Sequence, residues 1–285
     1  MIPAFVYPQA GDSGAACAAL AAAGAFDVRQ VAPAMLAAEV QRAVREGATR
    51  IVVAGGDGSI SSAASVLSGT GVELAILPAG TLNHLAKDLL LPLDLAEAAR
   101  IAVHGHARPV DAAVVNDRIF LNTSAVGAYV SFVRARERLE KRFGYGLASA
   151  LAAAKLIVRM PTFPITIEVE GETLTYQTPL VFIGVGEREL KLPSLGARVQ
   201  GGKSGLHVMV VRSKSGARAV AFAVAAAARG TEAMAQTPAL DAYVVERCKI
   251  EPRMRMAAVD GEIVRMNVPL EYRHVPGCLR VVVPP

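Results

Sequence analysis

Three stretches of the chain carry residue types and spacings suited to handling phosphate. The first, "IVVAGGDGSISSAASVL" (residues 51–67), sets Gly55, Gly56 and Gly58 around Asp57 and runs on through Ser59, Ile60 and Ser61. Glycine tolerates positive φ and lets a ligand approach the backbone closely. Such a loop could present successive N–H groups, and a helix opened by Ser59 would add unpaired donors and a dipole that attract an anion. Asp57 would repel a bare phosphate unless Mg²⁺ or water stands between them, so an acidic residue here points to a metal–nucleotide complex. The competing reading is a plain strand-to-helix turn capped by Asp57 or Ser59. The loop lacks the Gly-Lys-Ser/Thr of a Walker A motif and does not match GxGxxG.

The second stretch, "LAILPAGTLNHLAKDL", repeats the architecture: an apolar run at 74–77, a turn ending in Gly80, then Thr81 and Asn83 opening a helix. Two consecutive strand ends carrying small and hydroxyl residues would face one cleft. The third stretch lies far away, in "RMAAVDGEIVRM", where Asp260-Gly261-Glu262 separates two strand-like runs. Asp-Gly is a favoured hairpin dipeptide, so spacing alone reads as a turn. The functional reading makes Asp260 or Glu262 a general base that takes a proton from a substrate hydroxyl.

The elements that would position these loops alternate along the first hundred residues. Short apolar runs at 4–7, 28–31, 51–54 and 74–77 are separated by helical stretches at 13–23, 35–46 and 59–67. That order predicts βαβ units and a parallel sheet covered on both faces, with ligands at the carboxyl ends of the strands. Around residues 108–122 the texture changes. "RPVDAAVVNDRIFLN" reads as two strands joined at Asn116-Asp117, followed by a basic helical region at 129–160. "ITIEVEGETLTYQ" alternates around Glu170-Gly171, and "LHVMVVR", "AYVVERCKIE", "RMRMAAV" and "CLRVVVP" are further strands, interrupted by one helix at 217–228. Many short strands with few helices predict an antiparallel sheet or sandwich. The expected division is an α/β domain at 1–112 and a β-rich domain at 113–277.

The 285 residues allow a sizeable core, and 53% hydrophobic against 19% charged residues is a globular balance. A formal charge of +5 fits anionic partners such as nucleotides or acidic lipid headgroups. No basic run interleaves with aromatics, so nucleic acid is not the expected partner. Cys17, Cys248 and Cys278 are widely spaced without a CxxC, which implies a reducing compartment and no zinc site. No apolar run reaches the ~18 residues of a spanning helix, and the first residues lack the basic start of a signal peptide. The expectation is a cytoplasmic protein, at most peripheral to a membrane, with a homodimer left open. Arg134, Arg136, Arg138, Lys141 and Arg142 could face anionic headgroups, but such a run, diluted by Glu137 and Glu140, reads first as a solvated helix face.

In this order the pieces resemble the diacylglycerol kinase catalytic-domain family, which bacterial soluble lipid kinases and sphingosine kinases share. "GGDGS" and "LPAGTLNHLAKDL" are similar to its nucleotide loops, "VDAAVVNDRIFLNTSAVG" to the strand pair opening its second domain, "EKRFGYGLASALAA" to the basic helix after it, and "VDGEI" to its catalytic turn. The resemblance implies an N-terminal α/β domain like those of 6-phosphofructokinase and NAD kinase, with a mainly antiparallel, β-sandwich-like C-terminal domain. It implies that residues 278–285 return to the first domain. It also implies transfer of the ATP γ-phosphoryl group to a lipid hydroxyl with Mg²⁺. Gly55, Gly56, Asp57, Gly58, Ser59, Ile60, Ser61, Gly80, Thr81 and Asn83 would then hold the nucleotide. Asp57 and Asp111 would organise Mg²⁺ through water, and Asp260 or Glu262 would be the base. The chain departs from the family pattern at Tyr7, at His84, at Lys203-Ser204-Gly205 and around "GERELKLP". Alternative readings are an NAD kinase-like small-molecule kinase and a sensor that binds nucleotide or lipid without turnover.

Overall fold

The computed structural model describes residues 1–8, 11–128, 130–131, 133–134, 138, 162–189, 196–212, 240–252 and 255–285. The expected helix at 217–228 and most of the expected basic helical region at 129–160 lie outside these residues. The chain forms two compact units, Met1–Ala112 with Val275–Pro285 and Ala113–His274.

The first unit alternates strand and helix: β1 (Ile2–Val6), α1 (Ser13–Ala23), β2 (Phe26–Gln30), α2 (Pro33–Arg45), β3 (Arg50–Gly55), α3 (Asp57–Leu67), β4 (Glu73–Pro78), α4 (His84–Asp88) and α5 (Leu95–His104). The strands are parallel in the order β2-β1-β3-β4. Parallel strands covered on both faces need unbroken apolar runs. Ile51 to Gly55 and Leu74 to Pro78 are accordingly buried without a gap. Val52, Ala54, Ala75 and Leu77 pack with Leu20 of α1 and with Ala98, Ala99 and Ala102 of α5. The helix α5 adds to those expected. Its buried face is all alanine, and its start is well marked: Glu97 N donates to Asp94 Oδ1 at 2.8 Å. Its last carbonyls are closed by Arg50, which donates from Nη1 to Ala102 O (2.8 Å) and Val103 O (2.9 Å) and from Nη2 to Gly105 O (3.0 Å).

The second unit is built from antiparallel strands. β5 (His106–Val115) and β6 (Arg118–Phe120) form a hairpin, and β7 (Thr123–Gly127) follows. β8 (Phe163–Val169) and β9 (Glu172–Thr178) form a second hairpin, and then come β10 (Leu180–Val185), β11 (Leu206–Val211), β12 (Leu240–Val245) and β13 (Arg247–Pro252). β14 (Met256–Val259) and β15 (Glu262–Arg265) form a third hairpin, and β16 (Leu270–Val283) closes the chain. The hairpin turns fall at Asn116 (φ 55), at Glu170-Gly171 (φ 53 and 83) and at Asp260-Gly261 (φ 45 and 86), where the left-handed conformation matches the strand twist.

One sheet runs β12-β11-β10-β7-β14-β15, and β16, β13, β8 and β9 form the facing layer. Val126, Val181, Ile183, Val208 and Val210 of the first pack with Ile165, Ile167, Ile250, Leu270 and Tyr272 of the second, which makes this unit a sandwich. The structure corrects two of the expected strands. "AYVVERCKIE" is not one strand: it divides at Glu246 into β12 and β13, which belong to different sheets. "CLRVVVP" is the end of the fourteen-residue β16, whose Arg280 and Val281 run parallel to Glu73 and Leu74 of β4.

Candidate functional site

In the first unit, β3 leads straight into α3. Gly56 is the N-cap with φ −89 and ψ −178, no side chain caps the helix, and Asp57 opens the first turn. The helix therefore starts two residues before Ser59, and neither Asp57 nor Ser59 is its cap. The first intrahelical bond is Ile60 N to Gly56 O at 3.1 Å. The N–H groups of Asp57, Gly58 and Ser59 thus precede the helical ladder, as anion-binding donors do. Gly55, Gly56, Gly58 and Gly80 are not in the left-handed region; at Gly55 and Gly80 the need for glycine is space. A Cβ on Gly55 would stand 2.7 Å from Ser59 Oγ, and one on Gly80 would stand 2.3 Å from Gly56 Cα. The two loops meet backbone to backbone.

The second loop is closed from within. Asn83 has φ 52, and its Oδ1 accepts from Gly80 N at 3.0 Å. Its Nδ2 donates to Pro78 O at 3.1 Å and to Gly80 O at 2.8 Å. Its amide braces the loop from within. The helix α4 begins at His84, not at Thr81. Leu85 N donates to Asp57 Oδ1 at 3.2 Å, so Asp57 links the start of α3 to the start of α4. Thr81 and Gly58 are exposed, Ser59 and Ser61 are half-buried, and Ile60 is 3% exposed. Ile60 is a core residue. Tyr7 lies beside the first loop: its Cβ would be 3.9 Å from a Cβ on Gly55.

Asp111 lies on β5, where its Oδ1 accepts from Gly277 N at 2.9 Å. Among the described residues no three His, Cys, Asp or Glu gather as a metal cage. Asp57 and Asp111, with one carboxylate each, suit an Mg²⁺ carried by nucleotide phosphates, since that ion keeps several waters and needs only one or two carboxylates.

In the second unit the Asp260-Gly261 turn is anchored on the segment before β7. Asp260 Oδ2 accepts from Leu121 N at 2.9 Å, and Oδ1 accepts from Asn122 N at 2.8 Å and Thr123 N at 3.1 Å. Asp260 N donates in turn to Thr123 O at 2.8 Å. Glu262 is exposed and pairs with Arg118 Nη2 at 2.6 Å. Asn122, 5% exposed, has a buried Oδ1 with no hydrogen-bond partner. Sequence reasoning missed this residue, because only the contact between the 121–123 segment and the distant turn draws attention to it.

Residues 9–115 match the family model of the diacylglycerol kinase catalytic domain. The likeness to that family rests on this segment. The diacylglycerol kinase-type match covers β3 to α4 and the loops just described. Among curated proteins, the chain is 32% identical over 154 residues to the probable lipid kinase YegS-like of Cronobacter sakazakii, covering 52% of this chain and 50% of that protein. It is 26% identical over 152 residues to a diacylglycerol kinase of Staphylococcus carnosus, covering 52% and 49%. The chain spans about half the length of the curated relatives it matches. A diacylglycerol kinase of Bacillus anthracis has the same fold, with a TM-score of 0.76 over 100% of this chain and 97% of that one at 24% identity.

The stretch around "GERELKLP", one of the departures from the diacylglycerol kinase pattern, holds a buried cation that nothing in the sequence marks. Arg188 is 1% exposed and donates from Nε and Nη2 to Val185 O at 3.1 and 2.8 Å. Gly184 makes room for it, since a Cβ there would stand 2.3 Å from Arg188 Cγ. Arg188 N donates to Nδ1 of His207, whose pKa is lowered chiefly by burial.

Proposed function

We propose that this chain is a lipid kinase that moves the γ-phosphoryl group of ATP onto a hydroxyl of a diacylglycerol-like lipid. The observation that carries the reading is the pair of strand–glycine–helix junctions at Gly56 and Gly80, in contact through their backbones, inside a segment of the diacylglycerol kinase catalytic-domain family. Phosphoryl transfer asks mainly for positioning and charge neutralisation, and a sparse set of groups suffices. Mg²⁺ bound with ATP would supply neutralisation of the phosphate charge.

In this reading the N–H groups of Asp57, Gly58 and Ser59 hold phosphate oxygens, with Gly55, Gly56 and Gly80 allowing close approach. Thr81 adds an exposed hydroxyl, and Ser61 a half-buried one on α3. Asp57 and Asp111 would hold Mg²⁺ through water. Asp260 takes the proton of the acceptor hydroxyl, its carboxylate oriented by the amides of Leu121, Asn122 and Thr123. The acceptor is drawn from a membrane, to which the protein binds peripherally from the cytoplasmic side. Among the described residues no helix is long and apolar enough to cross one.

The test is incubation of the purified chain with γ-labelled ATP, Mg²⁺ and vesicles containing diacylglycerol, sphingosine and monoacylglycerol. A labelled lipid is expected, with diacylglycerol the preferred acceptor. Labelled NADP in a parallel reaction with NAD, or nucleotide binding with no labelled product, would overturn the reading.

A further inference from the structure

Ser204, Glu246 and His274 meet in the sandwich unit, although 70 residues separate Ser204 from His274. Ser204 sits in the exposed loop before β11, and Glu246 is the single residue between β12 and β13. The side chain of His274, on β16, is 1% exposed, while that of Glu246 is 70% exposed. The backbone fixes the pair, because His274 N donates to Glu246 O at 2.9 Å. The imidazole Nδ1 then lies 3.0 Å from Glu246 Oε2, and Nε2 lies 3.5 Å from Ser204 Oγ. A carboxylate against Nδ1 keeps the proton of the neutral ring on that nitrogen, which leaves Nε2 as an acceptor facing the serine hydroxyl.

We infer that Ser204, His274 and Glu246 form a nucleophilic relay that reacts with carboxylic esters, an activity separate from phosphoryl transfer. The roles follow from geometry: an exposed hydroxyl as nucleophile, a buried imidazole as base and a carboxylate that orients it. The chain order Ser, acid, His is one that such triads adopt. The 3.5 Å separation is long for an O–H···N bond, as catalytic bonds in ligand-free sites commonly are before substrate tightens them. In the reaction, Ser204 Oγ bonds to the ester carbonyl carbon while its proton passes to His274 Nε2. The tetrahedral adduct collapses, breaks the ester C–O bond and releases the alcohol, which leaves with that proton. Water, deprotonated by the same nitrogen, then cleaves the acyl-serine to the acid and restores Ser204. The exposure of Glu246 screens its charge, so its contribution is orientation and the turnover is modest.

The full chain treated with a fluorophosphonate probe and digested for mass spectrometry tests this. An adduct on Ser204 is expected, absent in S204A and formed at least about tenfold more slowly in E246Q. Glu246 is exposed, so E246Q keeps the fold, which circular dichroism verifies. Hydrolysis of p-nitrophenyl acetate should fall in step. No adduct on Ser204 of the folded wild type, or an unchanged rate in E246Q, overturns the inference. S204A should phosphorylate lipid as the wild type does, so failure of the ester chemistry and failure of the kinase reading are distinguishable.

Discussion

Asp260 and Glu262 stand two residues apart in one hairpin and differ in what governs proton transfer. Asp260 faces three backbone N–H donors, whereas Glu262 has an exposed ion pair of a kind worth at most ~1 kcal/mol. Asp260→Asn exchanges one acceptor oxygen for an NH₂ group that meets the N–H of the 121–123 segment. The resulting unpaired donors should lower stability by about 1–3 kcal/mol. Losing the base should lower turnover by about 10²–10⁴-fold. Glu262→Gln should leave both nearly unchanged. Steady-state phosphorylation at saturating Mg-ATP, alongside thermal melts, checks the pair. A D260N protein that melts early but turns over normally would make Asp260 a brace only. The turn itself was legible, because Asp-Gly between alternating runs is a local signal. Its anchorage was not, because the partner amides lie 137 to 139 positions away in the chain.

At the level of elements, the α/β and antiparallel halves were readable because their signals are short-range: unbroken apolar strands in one, alternation around turn dipeptides in the other. The contacts that join the two loops are not short-range. The approach of Gly80 to Gly56 and the Asp57–Leu85 bond depend on two βα junctions lying side by side, whereas the inward-turned amide of Asn83 closes its own loop locally. Sequence patterns express a glycine but not the atom that requires it. Gly80→Ala tests this requirement. Its Cβ would meet backbone, which cannot swing aside, so the loops must separate and the Gly80–Asn83 and Asp57–Leu85 bonds must stretch. Overpacking of this kind should cost about 1–3 kcal/mol and weaken Mg-ATP binding at least about tenfold. Gly14→Ala is the control: Gly14 is helical, nothing lies within 4 Å of the added methyl, and helix propensity favours alanine. Calorimetric titration of both variants with Mg-ATP decides the matter. Equal affinities would mean that the loops yield without consequence.

At the scale of the whole molecule, the described groups with the largest upward pKa shifts that lose a proton at high pH lie in the second unit. Burial pushes the Cys248 thiol up to about 12 and also raises the Tyr272 hydroxyl, which contacts Ser124 Oγ at 2.9 Å. Tyr176 is raised as well, first by burial and then by its hydrogen bond with Tyr243 at 2.8 Å. In the unfolded chain these groups ionise at about 8.5 for a thiol and about 10 for a phenol. Above those values the unfolded chain binds fewer protons than the folded one, so stability falls as pH rises. Their stabilising contribution is complete below about pH 8.5 and is lost progressively toward pH 12, at up to roughly 1.4 kcal/mol per pH unit for each group. The earliest part of that loss belongs to Cys248, which lies in the sandwich core with Ile250 and Leu270. Thermal melts from pH 7 to about 11 should therefore show a midpoint that holds to about pH 8.5 and then declines. Cys248→Ala should melt lower at neutral pH, because it leaves a small cavity, yet decline less steeply between about pH 8.5 and 10. Parallel profiles for the two proteins would show that Cys248 gains no protection from burial and that alkaline unfolding begins elsewhere.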